Sequence, residues 1–63
     1  MERNTKVVVK IAGEEAYRGR AMIYNSPYQR AVKIESSERH PEHIGKILVF
    51  DVATSLQSVE EIV

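Results

Sequence analysis

His40-Pro41-Glu42-His43 places two imidazoles and a carboxylate within four residues, the side chains from which a zinc site without cysteine would be built. Pro41 falls between them in a segment that reads as a loop, so no regular element orients the three groups. The expectation is therefore no metal site, and two solvent-exposed histidines that lend the loop some sensitivity to pH. Serines stand at 26, 36, 37, 55 and 58, and Asp51 is the one aspartate, but no serine lies in a Gly-x-Ser-x-Gly elbow. Glu14-Glu15 and Glu60-Glu61 are adjacent pairs, and adjacent side chains on a strand point to opposite faces. Three glycines make no phosphate loop. These residues argue against an enzyme and call for no cofactor.

Binding chemistry is better represented. Arg18, Arg20, Met22 and Tyr24 alternate along one face of a predicted strand, with Lys33, Lys6 and Lys10 expected on its neighbours. Arginine forks onto phosphate and stacks on bases, and Tyr24 and Tyr28 offer platforms for unstacked bases, so single-stranded RNA or DNA is one candidate partner. Arg and Tyr are equally the residues of protein-protein contacts, and the net charge is zero, short of the basic footprint of a nucleic-acid domain. The zero conceals a division. Residues 1 to 35 hold seven cations against four anions, and residues 36 to 63 two against five. If the fold keeps these halves apart, the basic one is free to face phosphate or an acidic protein, or the acidic half of another copy.

The elements that must position these groups read as strands. Lys6 to Ile11 is β-branched and alternates, with Val7, Val9 and Ile11 on one face. Residues 12 to 15 supply a turn at Gly13. A second strand runs from about Ala16 to Tyr24 with Tyr17, Gly19, Ala21 and Ile23 inward, and Gly19 in its middle points to a bend, a bulge or a close backbone approach. Ser26-Pro27 could open a helix, but Tyr28, Arg30, Val32 and Ile34 alternate cleanly with their neighbours, so a hairpin turn at 25 to 27 and a third strand are expected. Residues 36 to 45 read as a polar loop, Lys46 to Val52 as a fourth strand, 53 to 58 as a turn or single helical turn, and Val59 to Val63 as a short edge strand.

Ile47-Leu48-Val49-Phe50 cannot be half-wet, because four consecutive apolar residues present apolar groups to both faces of a strand. A chain of 63 residues has one small core to cover one face, and with no cysteine for disulfides, association is the remaining source of support. Leu48 and Phe50, or else Ile47 and Val49, are expected in an interface, and the chain is expected to form a homo-oligomer. No apolar run approaches a membrane span, the first residues do not read as a signal peptide, and a cytoplasmic location without membrane partners is expected. Composition, 43% hydrophobic and 29% charged, is that of one globular domain covering residues 1 to 63.

Tyr17-Arg18-Gly19-Arg20-Ala21-Met22-Ile23-Tyr24-Asn25 is similar to the first motif of the Sm-like small β-barrels, in which an aromatic, a glycine and a second aromatic before an acidic or amide residue mark the curved second strand. Residues 45 to 56 occupy the place of the second motif, and Phe50 to Leu56 resembles the end of the bacterial Rho-inhibitor proteins, which share that barrel. The resemblance implies an all-β, strongly bent, five-stranded antiparallel barrel and self-association through strands four and five. The apolar fourth strand and the divided charge point to a small regulator that binds a protein, and the Arg/Tyr face of strands two and three to single-stranded nucleic acid as the alternative. Tyr28-Gln29 stands where the family carries its RNA-binding asparagine, and Asp51-Val52 where it carries Arg-Gly. Arg18, Arg20, Tyr24, Tyr28, Gln29 and Lys33 are thus the candidate binding residues, and Leu48 and Phe50 the candidate interface.

Overall fold

A computed structural model describes residues 4–22, 27–54 and 56–62. Five antiparallel strands, β1 (Lys6–Ile11), β2 (Glu14–Ala21), β3 (Gln29–Ser36), β4 (Ile47–Asp51) and β5 (Gln57–Glu61), form one sheet in the order β4-β3-β2-β1-β5. The sheet curls upon itself as a half-closed barrel measuring 27 × 23 × 22 Å.

Its hairpins follow from local chemistry. Ala12 and Gly13 both take positive φ, 54° and 80°, which is the backbone of a two-residue turn whose twist matches the flanking strands. The turn is therefore shorter than residues 12 to 15, and Glu14 and Glu15 already belong to β2. Bending comes from two bulges. Val9 pairs with Tyr17 but Lys10 with Glu15, leaving Ala16 as the extra residue, and Arg18 pairs with Ser36 but Gly19 with Ile34, leaving Glu35. An extra residue kinks its strand and increases the twist. Gly19 explains itself here: a Cβ at this position would lie 1.9 Å from the carbonyl oxygen of Lys33. No side chain fits between β2 and β3 at that point.

Curling gathers the inward faces into one core of Val7, Val9, Ala16, Tyr17, Ala21, Val32, Ile34 and Phe50, with Ile11, Leu48 and Val59 packed against it. The alternation predicted for β1, β2 and β3 is thereby met, except that the first bulge buries the adjacent pair Ala16 and Tyr17 together. On β4, Phe50 and Leu48 turn inward. Ile47 and Val49 are left 55% and 62% exposed.

Three expectations about the elements need correction. Among the described residues the one helical turn is a 3-10 turn at Pro41–His43, in the segment expected as loop, and the stretch at 53 to 58 contributes none. Pro41 supplies the reason, since its fixed φ suits the first position of a turn whose preceding residue, His40, donates its N–H to Ser37 Oγ. β4 is shorter than Lys46 to Val52, and β5 begins two residues earlier than Val59. The expected hairpin turn falls mostly outside the described residues, as do Ile23 and Tyr24.

Candidate interaction surface

Strand register builds the outer face of the sheet. Lys6 on β1 lies opposite Arg20 on β2, Arg20 opposite Lys33 on β3, and Lys33 opposite Ile47 on β4. Three cations thus stand side by side across neighbouring strands, an arrangement that costs stability unless an anion lies among them. Glu35, displaced by the bulge, partly fills that role: Arg20 Nε donates to its carboxylate at 3.2 Å, and Arg20 Nη1 donates to the Asn4 carbonyl at 3.4 Å. Arg18, one pleat along the same face, donates from Nε to Glu15 at 2.6 Å. Both pairs are solvent-exposed and contribute at most about 1 kcal/mol each.

Of the residues singled out by sequence, Arg20 and Lys33 are direct neighbours and Arg18 is close by. Tyr28 and Gln29 are exposed at the other end of β3, where Gln29 faces Asp51. Four residues of strand separate Gln29 from Lys33, roughly 13 Å. The set therefore divides into a basic row and a separate aromatic-amide corner beside an anion, with Tyr24 outside the described residues. The basic and acidic halves of the chain are not held apart either. Lys10 pairs with Glu60 across β1 and β5 at 3.1 Å, and Arg39 pairs with Glu14, each bond joining one half to the other.

The free edge of β4 is the second feature. Ile34 N–H donates to the Lys46 carbonyl and Val52 N–H to the Tyr28 carbonyl. In an antiparallel ladder alternate residues turn their backbone groups to the neighbour, so Lys46, Leu48, Phe50 and Val52 face β3 while Ile47, Val49 and Asp51 face away. Asp51 N–H is taken by Gln57 Oε1 at 3.0 Å. Ile47 and Val49 thus combine an outward apolar side chain with outward backbone donors and acceptors. On this strand they are the pair whose apolar side chains point outward. Leu48 and Phe50 are occupied by the core, because the ladder's phase puts their side chains inside.

A third grouping escaped the sequence reading. The Tyr17 ring lies 5.7 Å from that of His40, 5.8 Å from His43 and 5.6 Å from Phe50, and its hydroxyl is 2.8 Å from His43 Nδ1. Burial, aided by the charge of Glu42, pushes the Tyr17 hydroxyl above its ordinary pKa. Glu42 is held below the usual carboxylate range chiefly by its own backbone N–H, with smaller pulls from His43 and His40. No spacing within the sequence signals that a residue on β2 meets two histidines more than twenty positions later.

Among the described residues no helix is long and apolar enough to cross a membrane. No family model, curated protein or solved structure matches the chain.

Proposed function

We propose that this protein is a non-enzymatic binding module that acts through protein-protein contacts and self-association, with the free edge of β4 as its contact strand. The observation that carries this reading is the coincidence, at Ile47 and Val49, of exposed apolar side chains and backbone groups turned away from the sheet. An added strand from a partner would pair with those groups and cover both side chains, the mode of recognition known as β-augmentation. An edge of this kind is a liability unless something is meant to pair with it. The bent five-stranded sheet is compatible with the Sm-like barrel that the sequence resembles, and that family's self-association through strands four and five agrees with this edge.

Light scattering coupled to size-exclusion chromatography tests the proposal. The expected result is a species larger than the 7.2 kDa chain, reduced to monomer by Val49→Lys without loss of the β-sheet signal in circular dichroism. A strict monomer at high concentration, or an oligomer indifferent to Val49→Lys, overturns self-association through β4.

A second reading is favoured by the row Lys6, Arg20 and Lys33. It makes this face a binding surface for single-stranded nucleic acid, with phosphate replacing Glu35 on Arg20. Counterion release then requires affinity to fall steeply with salt and Lys33→Ala to lower the slope by about one. Binding that ignores salt removes this reading.

A further inference from the structure

We propose that His40, Glu42 and His43 form a binding site for a divalent first-row transition metal ion, Zn²⁺ or its neighbours, with Tyr17 as the residue that positions His43. The site is independent of the β4 edge and of the basic row.

The backbone brings the ligands together. His43 N–H donates to the His40 carbonyl at 2.9 Å, closing a 3-10 turn, and in such a turn side chains three apart are eclipsed. The two imidazoles accordingly lie over one another, centroids 5.4 Å apart and 28° from parallel. Glu42 Oε1 approaches His40 Nδ1 to 3.4 Å. One donor atom from each of the three residues falls within 4.8 Å of the other two. Ligands about 2.1 Å from a tetrahedral ion are about 3.4 Å from each other. The donor atoms must therefore draw closer than the 4.8 Å that now bounds them, and His40 and Glu42, both exposed, have the freedom to turn toward the ion.

Two further features prepare the site. Ser37 Oγ accepts the His40 N–H at 3.0 Å and donates to the Ala16 carbonyl at 2.9 Å, so the turn is tied to β2 where the ligands begin. The Tyr17 hydroxyl lies 2.8 Å from His43 Nδ1, so Nε2 is the nitrogen proposed to ligate, which requires the tautomer in which Nδ1–H donates to Tyr17 Oη. A ligating histidine regularly has such an outer partner, which fixes its tautomer and ring orientation. Two imidazoles and one carboxylate select borderline ions over Ca²⁺ and Mg²⁺, which require more oxygens, and over Cu⁺, which prefers sulfur. Three protein ligands leave a position for water.

Binding of Co²⁺, read by its visible absorption, and of ZnCl₂, read by the melting temperature, tests the site on the intact chain. The expected results are a cobalt spectrum with one ion per chain and a rise in Tm on the order of 10 °C at zinc concentrations about a hundred times Kd. His43→Ala and His40→Ala abolish both signals, Glu42→Gln weakens binding at least ten-fold, and Tyr17→Phe weakens it about 10- to 100-fold while one ion still binds. Circular dichroism of each variant without metal confirms that the sheet is intact. Absence of both signals in the unmodified chain overturns the site, as does a cobalt spectrum that survives in the folded His40→Ala/His43→Ala double variant.

Discussion

The hydroxyl of Tyr17 and Nδ1 of His43, 2.8 Å apart but 26 positions distant in the chain, join the middle of β2 to the 3-10 turn between β3 and β4. The same ring packs on Phe50 from β4 and belongs to the core, so one side chain links turn, sheet and interior. Tyr17→Phe keeps the packing and deletes the bond, and is expected to cost about 1 kcal/mol in urea denaturation. The hydroxyl's raised pKa adds a sign. Stability from the protonated phenol is complete below its ordinary value of 10.0 and declines as pH rises beyond that. Tyr17→Phe should flatten the alkaline limb of a stability-pH curve, and an unchanged limb contradicts the assignment.

Gly19 offers a sharper test. A methyl placed 1.9 Å from a backbone oxygen cannot be accommodated by side-chain rotation, so β2 and β3 must separate. Gly19→Ala is expected to cost at least about 3 kcal/mol or to prevent folding, measured by chemical denaturation. The comparison is Gly13→Ala, where a Cβ meets nothing within 4 Å and the penalty is the positive φ, about 1 to 2 kcal/mol.

Ala12 already bears such a penalty, with φ at 54° in the same turn. Ala12→Gly should raise the midpoint of urea unfolding by an amount equivalent to about 0.5 to 1 kcal/mol, since glycine enters this region without steric cost. A loss of stability would show that the turn adopts another conformation.

Acid sensitivity is assigned to Glu42. Its carboxyl titrates below the ordinary 4.5, so the stability it contributes is present above that value and disappears as pH falls through the lower native one. Thermal melts between pH 3 and pH 6 should show a shallower acid limb for Glu42→Gln than for the unmodified chain. Identical limbs would remove the turn from the account of acid unfolding.

The strands were readable because their residues alternate. Val7 and Val9, Tyr17 and Ala21, Val32 and Ile34 follow the two-residue period and are buried as that period demands. Gly19 announced a bend, and the bulge at Glu35 and the approach of Lys33 account for it. On β4 the period was hidden, since Ile47 to Phe50 are apolar on both faces. Which pair faces out depends on the ladder's phase with β3, a property of pairing that no run of four apolar residues encodes. The 3-10 turn was read as loop because three residues carry no periodicity. The neighbours of Tyr17 were illegible for a different reason: contact across 26 positions is made by the curl of the sheet, and the curl is made by two bulges whose residues, Ala16 and Glu35, have nothing distinctive in their types.

Those bulges also determine how the sheet ends. Curling carries β4 and β5 toward one another, yet they are the two edges of the sheet and share no ladder. The amide oxygen of Gln57 on the Asp51 N–H spans the gap, so the barrel is fastened like a garment by a button where a seam would otherwise run. A fastening made by a side chain can be undone without unravelling any strand, so the line between β4 and β5 is where the proposed contact strand would enter.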